Sequence, residues 1–263
     1  MYNEMELTTA LSHAIDNQFQ GFELHYQPQL CANTNRIKGL EALVRWTLPD
    51  LGSVRPDIFI PLAEREGLIG ALGNWVLDTA CLTHRIIRET TELDIHMSVN
   101  VSGVQLNDPR FLSIVCQTAD RHQVDYRQLI IEVTETSFME QNSHANEVLK
   151  SVREAGFGIS IDDFGTGYAS LDYIQRFNPS ELKIDRIFVD NILDDDHCLN
   201  VVRFTLSLAK NLSARVVAEG VETQAQADRL KELGAPILQG YLLARPTSFF
   251  NLQKTHLKPK QNH

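Results

Sequence analysis

Cysteine is scarce in this sequence. The four present, Cys31, Cys81, Cys116 and Cys198, are widely spaced and form no C-x-x-C pair. Neither a disulfide framework nor a cysteine-based zinc site is indicated, and reduced thiols in the cytoplasm are expected. Positive charge is also short: 24 Lys and Arg stand against 34 Asp and Glu, for a formal net charge of -10. A chain this acidic lacks the basic surface that non-specific nucleic-acid binding requires, so duplex nucleic acid is not an expected partner. No apolar run is long enough to span a bilayer, and Met1 to Ala10 carry no basic stretch followed by an apolar one. There is no H-E-x-x-H, and the nine histidines do not cluster with the strand-like runs. No internal repeat and no low-complexity linker interrupt the chain.

What is present suits one sizeable core. Hydrophobic residues make up 43% of the 263 positions and charged residues 22%, as in ordinary folded domains. Ala145, Val148, Leu149 and Val152 follow helical spacing, with Gly156 as the expected C-terminal cap. Val202, Thr205, Leu206 and Ala209 repeat the pattern, and Thr223 with Gln226 reads as a capping box before a helix ended by Gly234. Between these lie strand-like runs at 22–27, 39–44, 95–101, 129–134, 158–162, 182–185, 215–219 and 237–239. Strands alternating with helices imply a parallel α/β sheet. About eight of them in one domain suggest a closed (β/α) barrel, with an open doubly wound sheet as the competing arrangement. Residues 1–20 read as a linker helix, the aspartates at 194–196 as a solvated loop, and the tail at 251–263 as flexible.

The side-chain parity of these runs points to a site. Strand residues alternate between faces. Leu40 and Ala42 flank Glu41, Val99 and Val101 flank Asn100, and Ile131 and Val133 flank Glu132. Ile159 and Ile161 oppose Asp162, Leu182 and Ile184 flank Lys183, and Val216 and Ala218 oppose Glu219. In a helix-covered barrel the apolar parity faces the helices and the polar parity faces the axis. Carboxylates sharing that interior need cations to neutralise them. An all-oxygen donor set favours Mg²⁺ or Mn²⁺ over zinc, and compact octahedral sites of that kind are expected to be inhibited by Ca²⁺. In the loop Asp162-Asp163-Phe164-Gly165-Thr166-Gly167-Tyr168, adjacent aspartates serve one site only where the chain turns, and the glycines make a turn easy.

Ordered blocks carry the same residues. They are Tyr26-Gln27-Pro28, Glu41-Ala42-Leu43-Val44-Arg45-Trp46, Phe59-Ile60-Pro61-Leu62-Ala63-Glu64, Asn100-Val101-Ser102, Glu132-Val133-Thr134-Glu135 and the Asp162 to Tyr168 loop. Lys183-Ile184-Asp185, Ala218-Glu219-Gly220-Val221-Glu222 and Gln239-Gly240-Tyr241-Leu242 complete the series. Together they resemble the EAL-domain family of cyclic di-GMP phosphodiesterases, over about residues 20 to 247. The pattern departs at Phe177-Asn178-Pro179-Ser180, where the family usually carries Leu-Pro and then an aspartate, and at Ala244, where serine is commoner.

The resemblance implies a modified (β/α)8 TIM-like barrel with an antiparallel first strand, over 21–250. It implies a pair of Mg²⁺ or Mn²⁺ ions held by Glu41, Asn100, Glu132 and Asp162, with Asp163 on the second ion and Glu219 reaching it directly or through water. Lys183 would hold the attacking water or the phosphate, and Glu135 would anchor the Asp163 loop. Gln27, Leu43, Arg45, Asp185, Glu222, Gln239 and Tyr241 would contact the nucleotide. The expected reaction is hydrolysis of cyclic di-GMP to linear pGpG, with Glu219 as general base and Asp163 or Lys183 able to share that role. The competing readings are a cyclic di-GMP receptor without turnover and an interaction scaffold. A homodimer, an N-terminal regulatory domain outside this chain, and a place in a larger membrane-bound protein are further expectations.

Overall fold

The computed structural model describes residues 4–139, 143–167, 174–175 and 177–257. Its strands are β1 Phe22–Cys31, β2 Ile37–Leu48, β3 Gly52–Val54, β4 His96–Asn100, β5 Leu129–Thr134, β6 Gly158–Phe164, β7 Glu181–Ile184, β8 Arg215–Ala218, β9 Ile237–Leu238 and β10 Thr247–Ser248. β2, β4, β5, β6, β7, β8 and β9 run parallel in that order. β1 closes the ring, pairing antiparallel with both β2 and β9. The result is an eight-stranded barrel, and the open-sheet alternative is set aside.

The first strand is reversed because β1 and β2 form a hairpin. Asn35 sits at φ 53 in the connection and its N–H donates to the Cys31 carbonyl at 2.9 Å. Asparagine tolerates this left-handed conformation better than most residues. β3 and β10 add short antiparallel edges to β2 and β1. At three and two residues they are too short to show an alternation, so the sequence pattern does not reveal them.

The apolar parity packs under the helices. Leu40, Val99, Ile131, Ile161, Leu182 and Val216 join Leu149 and Val152 of the helix Ser143–Glu154 and Val202 and Leu208 of the helix Asp196–Leu212 in one buried cluster. Gly156, at φ +109, ends the first of these helices, and the Thr223–Gln226 capping box opens the helix Gln224–Glu232. The acidic run at 194–196 is more than a solvated loop: Asp195 caps the helix Asp196–Leu212, its carboxylate accepting from the His197 N–H at 2.7 Å.

Both ends of the chain depart from expectation. The helix Glu4–Asp16 is packed rather than free as a linker. Leu7, Leu11 and Ala14 are buried against Trp46, Phe59 and Leu62, in a second cluster that stacks Phe22 on Trp46 at 5.3 Å. Burying a leucine fully contributes roughly 1.5–3 kcal/mol, enough to hold such a helix in place. At the other end, the helix Phe249–Thr255 buries Leu252, and Leu257 is buried after it, so the tail expected to be flexible is packed through residue 257. Residues 258–263 lie outside the described residues. Among the described residues no helix is long and apolar enough to cross a membrane.

Candidate active site

The structure brings together the six side chains whose parity points to the axis. Glu41 comes from β2, Asn100 from β4, Glu132 from β5, Asp162 from β6, Lys183 from β7 and Glu219 from the residue after β8. Lys183 is at the centre. Its Nζ lies 2.8 Å from Glu219, 3.0 Å from Glu132, 3.1 Å from Asp162 and 3.5 Å from Glu41, and the residue is 1% exposed. Asn100 Nδ2 donates to Glu41 Oε1 at 2.8 Å, and Gln239 Nε2 donates to Glu41 Oε2 at 2.6 Å and to Gln27 Oε1 at 3.1 Å. Gln27 in turn donates to the Ala244 carbonyl at 3.1 Å.

Asp163 joins the group by a local irregularity. The β6–β7 register shifts between Ile161 and Phe164, and Asp163 adopts φ 55 in the left-handed region, which aspartate tolerates. Its N–H donates to Asp162 Oδ1 at 2.9 Å. The turn expected from the glycines is therefore made at Asp163 itself, with Gly165 continuing it at φ +100. Glu135 Oε2 accepts from the N–H of Gly165 at 2.8 Å and of Gly167 at 3.2 Å. A Cβ at Gly167 would fall 2.7 Å from Glu135 Oε1, so a side chain there would push the carboxylate aside. Tyr168, the last residue of the motif, lies outside the described residues.

Burial and charge divide these groups. Burial pushes the Glu132 and Glu219 carboxyls well above the usual range, against the pull of Lys183 and with the charge of neighbouring carboxylates adding to it. Burial also pushes Glu41 up, but Lys183 and the donors on Gln239 and Asn100 outweigh it and hold Glu41 below its ordinary value. Burial opposes the charge on Lys183, yet the surrounding carboxylates raise its ammonium well above the usual lysine range. Asp163 is raised to about 7 by burial, by the Asp162 charge and by a hydrogen bond with Asp185.

The donor set fits hard divalent cations. Glu41, Glu132 and Asp162 each offer a carboxylate oxygen within 4.8 Å of the others, and so do Asp162, Asp163 and Glu219. Glu132 Oε1 is buried without a hydrogen-bond partner among the described residues, a costly state for a carboxylate oxygen that a cation would relieve. Asp162 belongs to both groups.

Beside the carboxylates lies a cavity of about 500 Å³, whose walls include Leu43, Arg45, Ile60, Glu64, Gln105 and Ser137. Leu43 and Arg45 are among the residues expected to contact a nucleotide. Ile60 and Glu64 carry no strand-parity signal, because they lie in a helix, Pro56–Arg65. Asp185 caps the helix Arg186–Asp190 and also contacts Asp163. Glu222 pairs with Arg186 at 2.9 Å, and the exposed Tyr241 carries the Arg245 guanidinium 4.4 Å from its ring centre. A larger open groove, about 1040 Å³, runs between the helix Glu4–Asp16 and residues 47–49, away from the carboxylate layer.

Known proteins share this fold. The family model described as EAL domain matches residues 8–246. MucR of Pseudomonas aeruginosa, a bifunctional diguanylate cyclase/cyclic di-GMP phosphodiesterase, is 42% identical over 223 residues, covering 85% of this chain and 33% of that protein. The cyclic di-GMP phosphodiesterase NbdA of the same organism is 36% identical over 252 residues, covering 95% of this chain and 32% of that protein. The chain spans about a third of the length of these curated relatives. A solved structure of the PaMucR phosphodiesterase in complex with c-di-GMP superposes with a TM-score of 0.89 at 40% identity, covering 94% of this chain and 99% of that one.

Proposed function

This chain belongs to the EAL-domain family, and we propose that it hydrolyses cyclic di-GMP to linear pGpG with the help of two Mg²⁺ or Mn²⁺ ions. One observation carries this reading: six strands deliver four carboxylates, an amide and a buried ammonium to one layer beside an open cavity. Glu41, Asn100, Glu132 and Asp162 would hold one ion, with Asp163 and Glu219 on the second. When bound, the ions supply Lewis-acid stabilisation of the phosphoryl charge and make a nearby water more acidic.

The chain's own side chains do the rest. Lys183, kept protonated by its carboxylate neighbours, places a positive charge where phosphoryl oxygens gain charge. Glu219, 2.8 Å from Lys183 and at the rim of the layer, takes the proton of the attacking water. Arg45 presents a fork suited to two phosphate oxygens, and the cavity beside it takes a nucleobase. Gln239 fixes Glu41 and is itself braced by Gln27, and both border the nucleotide, with Asp185, Glu222 and Tyr241 at the outer edge. Glu135 holds the Asp163 loop through two backbone N–H groups. All four cysteines are free, which supports a reducing compartment such as the cytoplasm. The reading also takes the domain as one half of a homodimer and as the output module of a longer regulator, as the length of its relatives supports.

The test is direct. Purified protein is incubated with cyclic di-GMP and Mn²⁺, and the products are separated by chromatography. Formation of pGpG, its loss in Glu41→Ala and its suppression by Ca²⁺ are the expected results. Binding of cyclic di-GMP without pGpG would replace this reading with a receptor, and neither binding nor turnover would leave an interaction scaffold.

A further inference from the structure

One step below the carboxylate layer the barrel interior changes character. On the inward parity, Ser98 stands two residues before Asn100, Ser160 two before Asp162 and Glu181 two before Lys183. On the reversed strand β1, Gln29 stands two after Gln27, opposite Gly39, where a Cβ would fall 2.4 Å from Gln29 Oε1. Bulky branched side chains usually fill such a layer in this class of barrel. Here Ile130 and Val217 do so on two strands, but Ser98, Ser160, Glu181 and Gln29 share the level and are sealed: the first three are 0% exposed and Gln29 is 1% exposed.

The layer is also unsatisfied. Ser98 Oγ, Ser160 Oγ, Glu181 Oε1 and Gln29 Nε2 have no hydrogen-bond partner among the described residues. Only the second oxygen of Glu181 is engaged, by Arg215 Nη2 at 2.7 Å. Ser160 is the strand partner of Glu132 on one side and of Glu181 on the other, and Glu132 Oε1, just above, is orphaned too. Leaving such groups dry is costly, so four of them at one level are not tenable without a partner. The partner must donate to carboxylate oxygens and accept from an amide N–H. A cation meets only the first demand, and an apolar ligand meets neither. Water meets both, and a buried water typically makes about three hydrogen bonds to groups of this kind.

We propose that this layer is a built-in water site, and that through its water Ser160 and Glu181 position Glu132 in the layer above. The hydration stands on the barrel geometry alone, whereas the positioning of Glu132 rests on the reading of Glu132 as a metal ligand. The water then links the Lys183–Glu132 pair to the Glu181–Arg215 pair toward the far end of the barrel.

Crystals of the protein diffracting to about 1.5 Å or better test the first part. Ordered solvent peaks within hydrogen-bond distance of at least two of Ser98 Oγ, Ser160 Oγ, Glu181 Oε1 and Gln29 Nε2 are expected. A layer without peaks, with these side chains rotated onto one another, overturns the proposal. An anomalous peak at the same place after a Rb⁺ soak overturns it in favour of a monovalent cation. Mn²⁺ titration by calorimetry tests the second part: Ser160→Ala should weaken binding about tenfold or more, while Ser160→Thr, which keeps the hydroxyl, stays near wild type. Solvent peaks together with unchanged Mn²⁺ affinity in Ser160→Ala would refute the positioning role. Wild-type protein that binds no Mn²⁺ would instead refute the metal reading and leave the water site standing.

Discussion

Replacing Lys183 with methionine should destabilise the metal-free protein strongly and make its stability depend on divalent cations. The ammonium is buried, with carboxylate oxygens at 2.8, 3.0, 3.1 and 3.5 Å. Methionine keeps much of the stem and removes the charge. Breaking a buried ion pair by deleting one partner costs about 3–5 kcal/mol, because the other charge is left uncompensated. Glu132 and Glu219, both pushed well above the usual carboxylate range by burial, can take up protons and offset part of this. The lower end, about 3 kcal/mol, is therefore expected. Unfolding entropy scales at about 2 cal/mol/K per residue, so a chain of 263 residues should lose roughly 5–6 °C in Tm. The assay is thermal and urea unfolding at neutral pH in EDTA and again in millimolar Mn²⁺. Mn²⁺ should raise the variant's Tm by more than it raises the wild type's, since the ions replace the lost charge and meet no ammonium. A variant as stable as wild type in EDTA, or equally stabilised by Mn²⁺, would refute the idea that Lys183 is the cluster's counter-charge.

Other perturbations reach other parts of the chain. Leu11 is fully buried between its helix and the Trp46–Phe59 cluster, so Leu11→Ala should cost about 2–5 kcal/mol in urea unfolding; a loss under about 0.5 kcal/mol would mean that the N-terminal helix is not part of the folded unit. His96, with Nδ1 donating to the Arg127 carbonyl, is lowered to about 4, chiefly by burial. The unfolded chain therefore takes up a proton near pH 6.5 that the folded one refuses until about pH 4, and stability should fall as pH drops through that window. His96 is only partly buried, so the discounted effect is on the order of 1–2 kcal/mol; His96→Gln should remove that slope, and an unchanged slope would count against it. Glu135→Ala frees two backbone N–H groups of the Asp163 loop and should lower turnover at least tenfold with little change in Tm; full turnover in that variant would contradict the anchoring role. Burial pushes the Cys81 thiol up to about 12, so it should resist alkylation until the protein unfolds, which mass spectrometry of labelled protein can check.

How far the sequence foretells this structure depends on the residue. Glu132 between Ile131 and Val133 is legible, because a strand buried on both faces has one reason to place an acid there. Asp163 is legible as a site residue only through the need for a turn, and the turn falls on the aspartate rather than on the glycines. Leu7, Leu11 and Ala14 follow helical spacing, but nothing local says whether such a face meets the barrel or a missing partner; the stacked Phe22 and Trp46 that receive it come from strands. The reversal of β1 is fixed by a hairpin whose turn residue, Asn35, carries little signal. The polar side chains of Gln29, Ser98, Ser160 and Glu181 are open to the same parity reading. Serines in strands attract no notice, however, until burial shows that they have nowhere to place their hydrogen bonds.

The measurement that bears most directly on the proposed chemistry is anomalous scattering at the manganese edge, from crystals grown with Mn²⁺ and cyclic di-GMP in the presence of a turnover-blocking Glu219→Gln substitution. The expected result is manganese density ligated by Glu41, Asn100, Glu132, Asp162 and Asp163, with the dinucleotide entering the cavity beside Arg45. Density for the nucleotide with no manganese among those carboxylates, and Lys183 alone holding them, would contradict it.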